Sequence, residues 1–110
     1  MTPEVGPLLR CAVDVSAGRA TIRASGELDY SSLRLMIVTV TDALASRAGE
    51  LVLDLTAVTF CSTGSASMLH SVRRQAEAAG SRLIVLPSRH VRHVLELTDL
   101  AQNLDLRDQP

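Results

Sequence analysis

The chain has 110 residues, of which 46% are hydrophobic and 21% are charged, and its net charge is −1. This is the size and composition of one globular domain that can bury a core of its own. The balanced charge argues against a nucleic-acid-binding surface and against a polybasic membrane anchor. No apolar run approaches the roughly 20 residues that span a bilayer, so membrane insertion is not expected.

The cysteines and histidines do not have the spacing of a metal site. Cys11 and Cys61 stand far apart, and the three histidines are scattered, so the sequence predicts no metal centre and no cofactor. The N-terminus has neither a charged start nor an apolar signal core, which indicates a cytoplasmic protein. Residues 1–7 contain two prolines and a glycine and are expected to be a flexible N-terminus.

The first half of the chain predicts a hairpin followed by a helix. Strands over residues 8–15 and 20–24 flank a Ser-Ala-Gly turn, and Gly26 is expected to break the second strand. A helix follows that Asp29, Ser31 or Ser32 caps and Gly49 ends. Its apolar positions, at helical spacing, are Leu33, Met36, Ile37, Val40 and Leu44.

The second half predicts two more strands and two more helices. The apolar run 51–55 has the pattern of a strand that is buried on both faces. Residues 62–64 are expected to form a turn into a second helix, which Gly80 closes. The apolar stripe predicted for that helix is Met68, Leu69, Val72, Ala76 and Ala79.

The last part of the chain repeats this alternation. Residues 82–86 form another buried strand that Pro87 stops, and Ser88 caps a third helix that reaches Leu97. The segment from Asn103 is a candidate for a short last strand. Strands that flank a helix are expected to run parallel. The element order therefore predicts an α/β fold, a single domain with a mixed β-sheet of four to five strands and helices packed against it.

Two short segments could carry function. Gly26-Glu27-Leu28-Asp29 follows a strand, although a glycine turn with an aspartate helix cap is also ordinary local structure. The segment from Phe60 to Ser65 joins a buried strand to a helix. A phosphate on Ser62 or Thr63 would lie in the favourable field of the helix N-terminus. The alternative is that these hydroxyls only cap the helix, and the two interpretations are compatible.

Other side chains carry less specific signals. Cys61 could be a reactive thiol near a helix N-terminus, but a buried apolar cysteine is the more common case. His90 and His93 alternate with Arg89 and Arg92 near a helix start. That cluster could meet an acidic partner surface or simply form a solvated helix face.

Five motifs together resemble the STAS domain, and specifically the bacterial anti-sigma factor antagonists. No single motif is decisive, but their order and spacing over residues 8–106 are those of the family. They are Gly26-Glu27-Leu28-Asp29, the Leu-Val-Leu-Asp-Leu run 51–55, the Val-Thr-Phe triplet 58–60, the Ala-Gly-Ser-Arg-Leu run 79–83 and the Val-Leu-Glu-Leu-Thr-Asp-Leu run 94–100. The family fold is a small α/β domain with a mixed sheet, which agrees with the predicted element order, and residues 107–110 are left as a tail.

The resemblance implies a partner switch that regulates transcription. Such an antagonist binds an anti-sigma factor that is also a serine kinase, and phosphorylation by that kinase switches the antagonist off. A serine phosphatase is then a further partner. Without a gap in the alignment the phosphoacceptor is Thr63, and with one deleted residue it is Ser62. In the ungapped alignment Ser62 replaces the aspartate that the family usually has there.

The implied contact surface combines both candidate segments. Its predicted partner-binding residues are Glu27, Asp29, Tyr30, Ser31, Cys61, Gly64, Ser65 and Met68. The function expected is binding, with no catalytic residue, since the chain has no recognisable nucleophile–base pair and no Gly-rich phosphate loop. The alternative function is a phosphorylation-independent STAS subunit of a signalling scaffold or of a transporter-associated complex.

Overall fold

The computed structural model describes residues 8–109, so the predicted flexible segment 1–7 lies outside the described residues. Strands and helices alternate as expected. The strands are β1 (Leu9–Ser16), β2 (Arg19–Leu28), β3 (Glu50–Cys61) and β4 (Arg82–Pro87). The helices are α1 (Leu33–Leu44), α2 (Thr63–Ala78) and α3 (Arg89–Leu97), and 3-10 turns cover Tyr30–Ser32 and Ala101–Asn103.

The four strands form one mixed sheet in the order β1-β2-β3-β4. β1 and β2 are an antiparallel hairpin, and β2, β3 and β4 run parallel. In the two-residue hairpin turn, Ala17 and Gly18 have φ values of 53° and 77°. Positive φ at both central residues is typical of the commonest two-residue hairpin turns. The predicted α/β fold with a mixed sheet is confirmed.

Burial follows from this layout. α1 packs on β1 and β2, α2 on β3 and β4, and α3 mainly on β3. The main apolar core draws on all four strands and all three helices. On the opposite face of β3 and β4, Val52, Ile84 and Leu86 form a second buried cluster. The run 51–55 is therefore buried on both faces, as predicted.

Two of the strands are longer than the sequence predicted. β2 does not break at Gly26 but continues to Leu28, because glycine tolerates the φ of 106° that the chain needs there. β3 does not stop at residue 55 but reaches Cys61. β3 gains one residue relative to β2 at each of two register shifts, between Arg23 and Ser25 of β2 and again after Gly26. Such bulges bend a strand and redirect its end.

Other boundaries differ from the expectation for local reasons. α1 ends at Leu44, and Gly49 instead donates its N–H to Gly18 O at 3.0 Å at the start of β3. Residues 63 and 64 are not a turn, since Thr63 and Gly64 already belong to the first turn of α2.

At the other end of α2, Ala79 is not part of the buried stripe but is the exposed C-cap residue. Gly80 closes the helix as predicted. It has φ 76°, and Ser81 N–H donates back to Ala76 O at 2.8 Å.

The candidate last strand is reduced to a single bridge. Leu106 pairs with Val85 of β4 in parallel, through Val85 N–H to Asp105 O at 2.9 Å and Arg107 N–H to Val85 O at 3.0 Å. The chain therefore stays attached to the sheet through Arg107.

Candidate functional site

The two segments singled out in the sequence meet at one end of the sheet. β2 and β3 are neighbouring parallel strands, so their carboxyl ends lie side by side, with Leu28 in register with Cys61. The next residue, Ser62, donates its backbone N–H to Leu28 O at 3.0 Å. The turn after β2, residues 29–32, and the turn after β3, residues 62–65, are thereby joined. We refer to these two turns as the paired turns.

The turn after β2 is organised by the carboxylate of Asp29. Its Oδ1 accepts from Ser31 N–H at 3.0 Å, from Ser31 Oγ at 2.7 Å and from Ser32 N–H at 3.2 Å. Ser32 Oγ in return accepts from Asp29 N–H at 2.9 Å, which completes a capping box. The hydroxyl bond from Ser31, supported by the backbone bonds, holds the pKa of Asp29 below its usual value. The carboxylate is therefore committed to shaping the turn.

The turn after β3 is organised by the hydroxyl of Ser62. This residue is the N-cap of α2, and its Oγ accepts from Ser65 N–H at 3.1 Å. The hydroxyls of Ser62 and Ser65 also share a hydrogen bond of 2.6 Å, and Ser65 is buried beneath the turn. Serine is among the best N-cap residues, so Ser62 fixes the start of α2 without a charge.

Thr63 is the first residue of α2 and stands in a different environment. Its side chain is exposed, and its hydroxyl makes no hydrogen bond within residues 8–109. Gly64 is also exposed, and a Cβ built on it would meet nothing within 4 Å. The field of the helix N-terminus favours an anion at this point. Of the two hydroxyls considered in the sequence, only that of Thr63 is both accessible and unengaged within the described residues.

The predicted partner-binding residues divide into two groups. Glu27, Asp29, Tyr30, Ser31 and Gly64 lie at or near the surface, and Tyr30 is 89% exposed. By contrast, Cys61, Ser65 and Met68 are buried, so they present little surface to a partner.

The environment of Cys61 also decides its chemistry. Only 2% of the residue is exposed, and burial raises the pKa of its thiol to about 11. At neutral pH the sulfur is therefore a protonated, apolar group and not a reactive thiolate.

Two further residues are not among the predicted partner-binding residues, although the sequence marks one of them, His90, as part of a cluster that could meet an acidic partner surface. Phe60, near the end of β3, is 43% exposed, and its ring lies 5.5 Å from the ring of His90 in the first turn of α3. β3 pairs with β4 only as far as Leu55 opposite Pro87, so the later part of β3 projects past β4 toward α3. No local sequence pattern predicts the contact between Phe60 and His90, because the contact depends on β3 being longer than the sequence predicts.

Two features are absent from residues 8–109. No group of three or more His, Cys, Asp or Glu side chains there could hold a metal ion. None of the helices described is both long enough and apolar enough to cross a membrane.

The fold is shared with proteins of known structure. The structure of an anti-sigma factor antagonist from Mycobacterium paratuberculosis matches with a TM-score of 0.76 and 20% identity, over 89% of this chain and 84% of the other. The anti-sigma factor antagonist SpoIIAA in its unphosphorylated form matches with a TM-score of 0.72 and 20% identity, over 91% and 90% of the two chains. The Bacillus cell fate determinant SpoIIAA in its phosphorylated form matches with a TM-score of 0.64 and 21% identity, over 91% and 93%.

Sequence comparison gives the family. No curated protein sequence matches the chain. The family model described as "Mlab, STAS domain" matches residues 11–108, which is nearly the whole chain. This chain belongs to the STAS domain family.

Proposed function

We propose that this domain is an anti-sigma factor antagonist that binds an anti-sigma factor through the paired turns and is switched off by phosphorylation of Thr63. The observation that carries the proposal is the exposed Thr63 hydroxyl at the N-terminus of α2, joined to the Asp29 turn through Ser62 N–H and Leu28 O. The similar structures support it, since they are described as anti-sigma factor antagonists and one of them in a phosphorylated form. Such a protein acts in the bacterial cytoplasm.

The geometry favours Thr63 over Ser62 as the acceptor. Phosphorylation of Ser62 would replace the hydroxyl that caps α2 and bonds Ser65. The same group on Thr63 leaves the cap in place and sets a charge of about −1.5 to −2 at the positive end of the helix. Modification at Thr63 therefore changes the surface without a structural cost to the helix start.

The switch would act through the charge of the contact surface. Unmodified, the paired turns present the exposed Tyr30 and neutral hydroxyls beside the Asp29 carboxylate, and the half-exposed Phe60 lies next to them at the end of β3. Aromatic side chains of this kind supply much of the energy of protein interfaces. A dianion at Thr63 would have to lose its hydration or face unmatched charge in such an interface, which is enough to exchange one partner for another. The partner expected is an anti-sigma factor with serine-kinase activity, and a serine phosphatase would reverse the step.

A second candidate function follows from Ser62. In the ungapped alignment this residue takes the place of an aspartate, so no carboxylate directly precedes Thr63. A kinase that needs that charge would not act here. The domain would then be a phosphorylation-independent STAS subunit of a signalling scaffold or a transporter-associated complex.

The deciding experiment is intact-mass spectrometry after incubation with ATP and each kinase-type anti-sigma factor of the host. We expect one added phosphate, which Thr63→Ala abolishes. Ser67→Ala is the matched control, since Ser67 carries another exposed hydroxyl in the N-terminal part of α2 and donates to Gly64 O at 2.7 Å. Ser62→Ala should be phosphorylated as well, while it loses about 1 kcal/mol of stability with the cap.

Binding measurements complete the test. Thr63→Ala should bind the same anti-sigma factor whether or not ATP is present, and Thr63→Asp should bind it more weakly. Phosphate that persists on Thr63→Ala and maps to Ser62 would contradict the assignment of the acceptor. Tight binding with no added mass would mean an antagonist that lacks the phosphorylation switch. The absence of both added mass and binding would reject the antagonist function and favour the phosphorylation-independent subunit.

A further inference from the structure

The two edges of the sheet are not alike. The outer edge of β4 is partly covered, because the segment after the second 3-10 turn bridges to Val85. The outer edge of β1 pairs with no strand within residues 8–109. β1 runs for eight residues in continuous register with β2, from Leu9 opposite Gly26 to Ser16 opposite Arg19. It has no proline, no lysine and no register shift, three of the devices that protect an edge strand from pairing, and its two charged side chains, Arg10 and Asp14, are of opposite sign.

The register of the hairpin decides which backbone groups point outward. Glu27 N–H donates to Leu8 O at 2.8 Å, so Leu8 and Glu27 are a hydrogen-bonded pair. Bonded and non-bonded pairs alternate along an antiparallel ladder. The even-numbered residues of β1 therefore direct their N–H and C=O groups to β2. The odd-numbered residues direct theirs to the open edge, and these are Leu9, Cys11, Val13 and Val15.

The side chains of β1 are complementary to their own sequence in one antiparallel register. If two copies of β1 pair about a two-fold axis at Ala12, Arg10 of each copy lies opposite Asp14 of the other. Both side chains are exposed, and neither is in an ion pair within the part of the chain that the structure describes. These would be non-hydrogen-bonded pairs, in which side chains approach most closely.

The same register also suits the other face of the strand. Leu9 lies opposite Val15 of the second copy, and Cys11 lies opposite Val13, so only apolar or thiol groups meet on the helix-covered side. Val13 and Val15, which are 44% and 50% exposed, would both be covered. All four outward-directed residues would exchange backbone hydrogen bonds. Thus backbone direction, charge and apolar contact all agree in one register.

We propose that the open edge of β1 is a self-association surface, on which a second copy of this chain adds its own β1 antiparallel about Ala12. The two four-stranded sheets then become one continuous sheet. β2 separates this edge from β3 and from Ser62, so the site of the proposed switch stays outside the contact. The association goes beyond the proposed binding of an anti-sigma factor and does not depend on it.

A charge swap tests the register. The full chain should sediment as a concentration-dependent dimer in analytical ultracentrifugation. Arg10→Asp and Asp14→Arg should each raise the dimer dissociation constant by about tenfold or more, since each turns two attractive pairs into repulsive ones. The double variant Arg10→Asp with Asp14→Arg restores opposite charges and should restore the dimer. Arg74→Asp, on the exposed face of α2, makes the same change of net charge as Arg10→Asp and should leave the dimer unchanged.

A cross-link tests the axis independently of charge. In a non-hydrogen-bonded pair the Cα atoms are about 4.5 Å apart, which a disulfide can bridge. In a Cys11→Ser background, Ala12→Cys should therefore form a disulfide-linked dimer on mild oxidation. Asp14→Cys in the same background should not, because that position faces Arg10 of the other copy and not itself.

Three results would overturn the proposal. One is a wild-type chain that stays monomeric at every concentration. Another is a dimer that neither single charge reversal weakens. The third is a dimer that the single reversals weaken but the double variant does not restore. Thermal melts followed by circular dichroism show that each variant is folded, so a loss of association is not confused with unfolding.

Discussion

At the scale of single residues, the candidate site consists largely of side chains that also hold the local backbone in shape. Asp29 and Ser62 both accept backbone N–H groups at the start of a helical segment. Ser88 does the same for α3 by accepting from Val91 N–H at 3.1 Å. These capping functions are typical of the residue types. The sequence predicted Ser88 directly, gave Ser62 as one of two candidate hydroxyls, and gave Asp29 as one of three candidate caps of α1, whereas Asp29 caps the 3-10 turn that precedes α1. What the sequence left open was which hydroxyl remains accessible, because that depends on Ser65 being buried under Ser62.

The Asp29 cap predicts a dependence of stability on acid. The pKa of its carboxyl is lowered from an ordinary value of 3.8, so the ionised form is favoured by folding. The stability that the ionised Asp29 carboxylate contributes is therefore complete well above pH 3.8. It is lost as the pH falls through 3.8 and then through the lowered pKa of the folded state. Asp29→Asn keeps a good capping side chain that does not titrate. We expect stability near neutral pH to change little and the loss of stability as the pH falls through 3.8 and below to become smaller.

Urea denaturation at a series of pH values measures this effect. Asp42→Asn is a suitable comparison, since it removes an exposed carboxyl from α1 instead of from the turn. If the stability of Asp29→Asn falls with acid as steeply as that of the wild type, protonation of Asp29 does not weaken the fold.

At the scale of elements, the end of β2 depends on one glycine. Gly26 has φ 106°, and a Cβ built there would collide with the carbonyl oxygen of Leu8. The close approach lets Glu27 N–H reach Leu8 O and lets β2 continue to the Asp29 turn. The sequence predicts that Gly26 ends the strand, whereas in the structure this glycine is the residue that allows the strand to continue.

Two glycine substitutions should therefore act in opposite directions. Gly26→Ala should destabilise the domain by about 3 kcal/mol, since strain at a positive φ and a backbone collision act together. Gly64→Ala, in the first turn of α2, has open space around the new methyl group and should stabilise by up to about 1 kcal/mol. Chemical denaturation of both variants checks the pair. If Gly26→Ala is as stable as the wild type, the close contact between residue 26 and the Leu8 carbonyl does not determine the end of β2.

The sequence predicted the type and order of the elements better than their lengths. Local patterns of glycine, hydroxyl-bearing and apolar residues predicted the hairpin turn, the presence of helix caps and the buried strands, and the structure has all of these features. The later part of β3 was missed because Thr56 and Thr59 stand at positions where polar residues suggest a loop. In the structure Thr56 donates its N–H and Oγ1 to Asp54 Oδ1 at 3.0 and 2.6 Å, and Thr59 Oγ1 donates to Gly26 O at 3.2 Å. The first two contacts stay within β3 and the third reaches β2, so these polar residues are accommodated in a strand that continues to Cys61.

At the scale of the whole molecule, the C-terminal segment is part of the domain. Leu104 is 9% exposed and belongs to the main core, and the next residues bridge to β4. Asp105 also bonds Arg107 at 2.8 Å and Arg82 at 3.3 Å. Partly exposed ion pairs such as these contribute little to stability, so Leu104 and the backbone bridge are expected to hold the segment. The sequence placed the end of the domain at residue 106, close to this last attachment at Arg107.

Two leucines near the C-terminus test how far the segment supports the fold. Leu104→Ala removes buried methyl groups and should lower the free energy of unfolding by about 2 kcal/mol, the lower end for a leucine at the rim of a core. Leu97→Ala, at the end of α3, removes the same atoms from a side chain that is 69% exposed and should change stability by less than about 0.5 kcal/mol. Urea unfolding compares them directly. Equal effects would mean that the Leu104 side chain does not stabilise the domain and that the backbone bridge to Val85 alone holds the segment after α3.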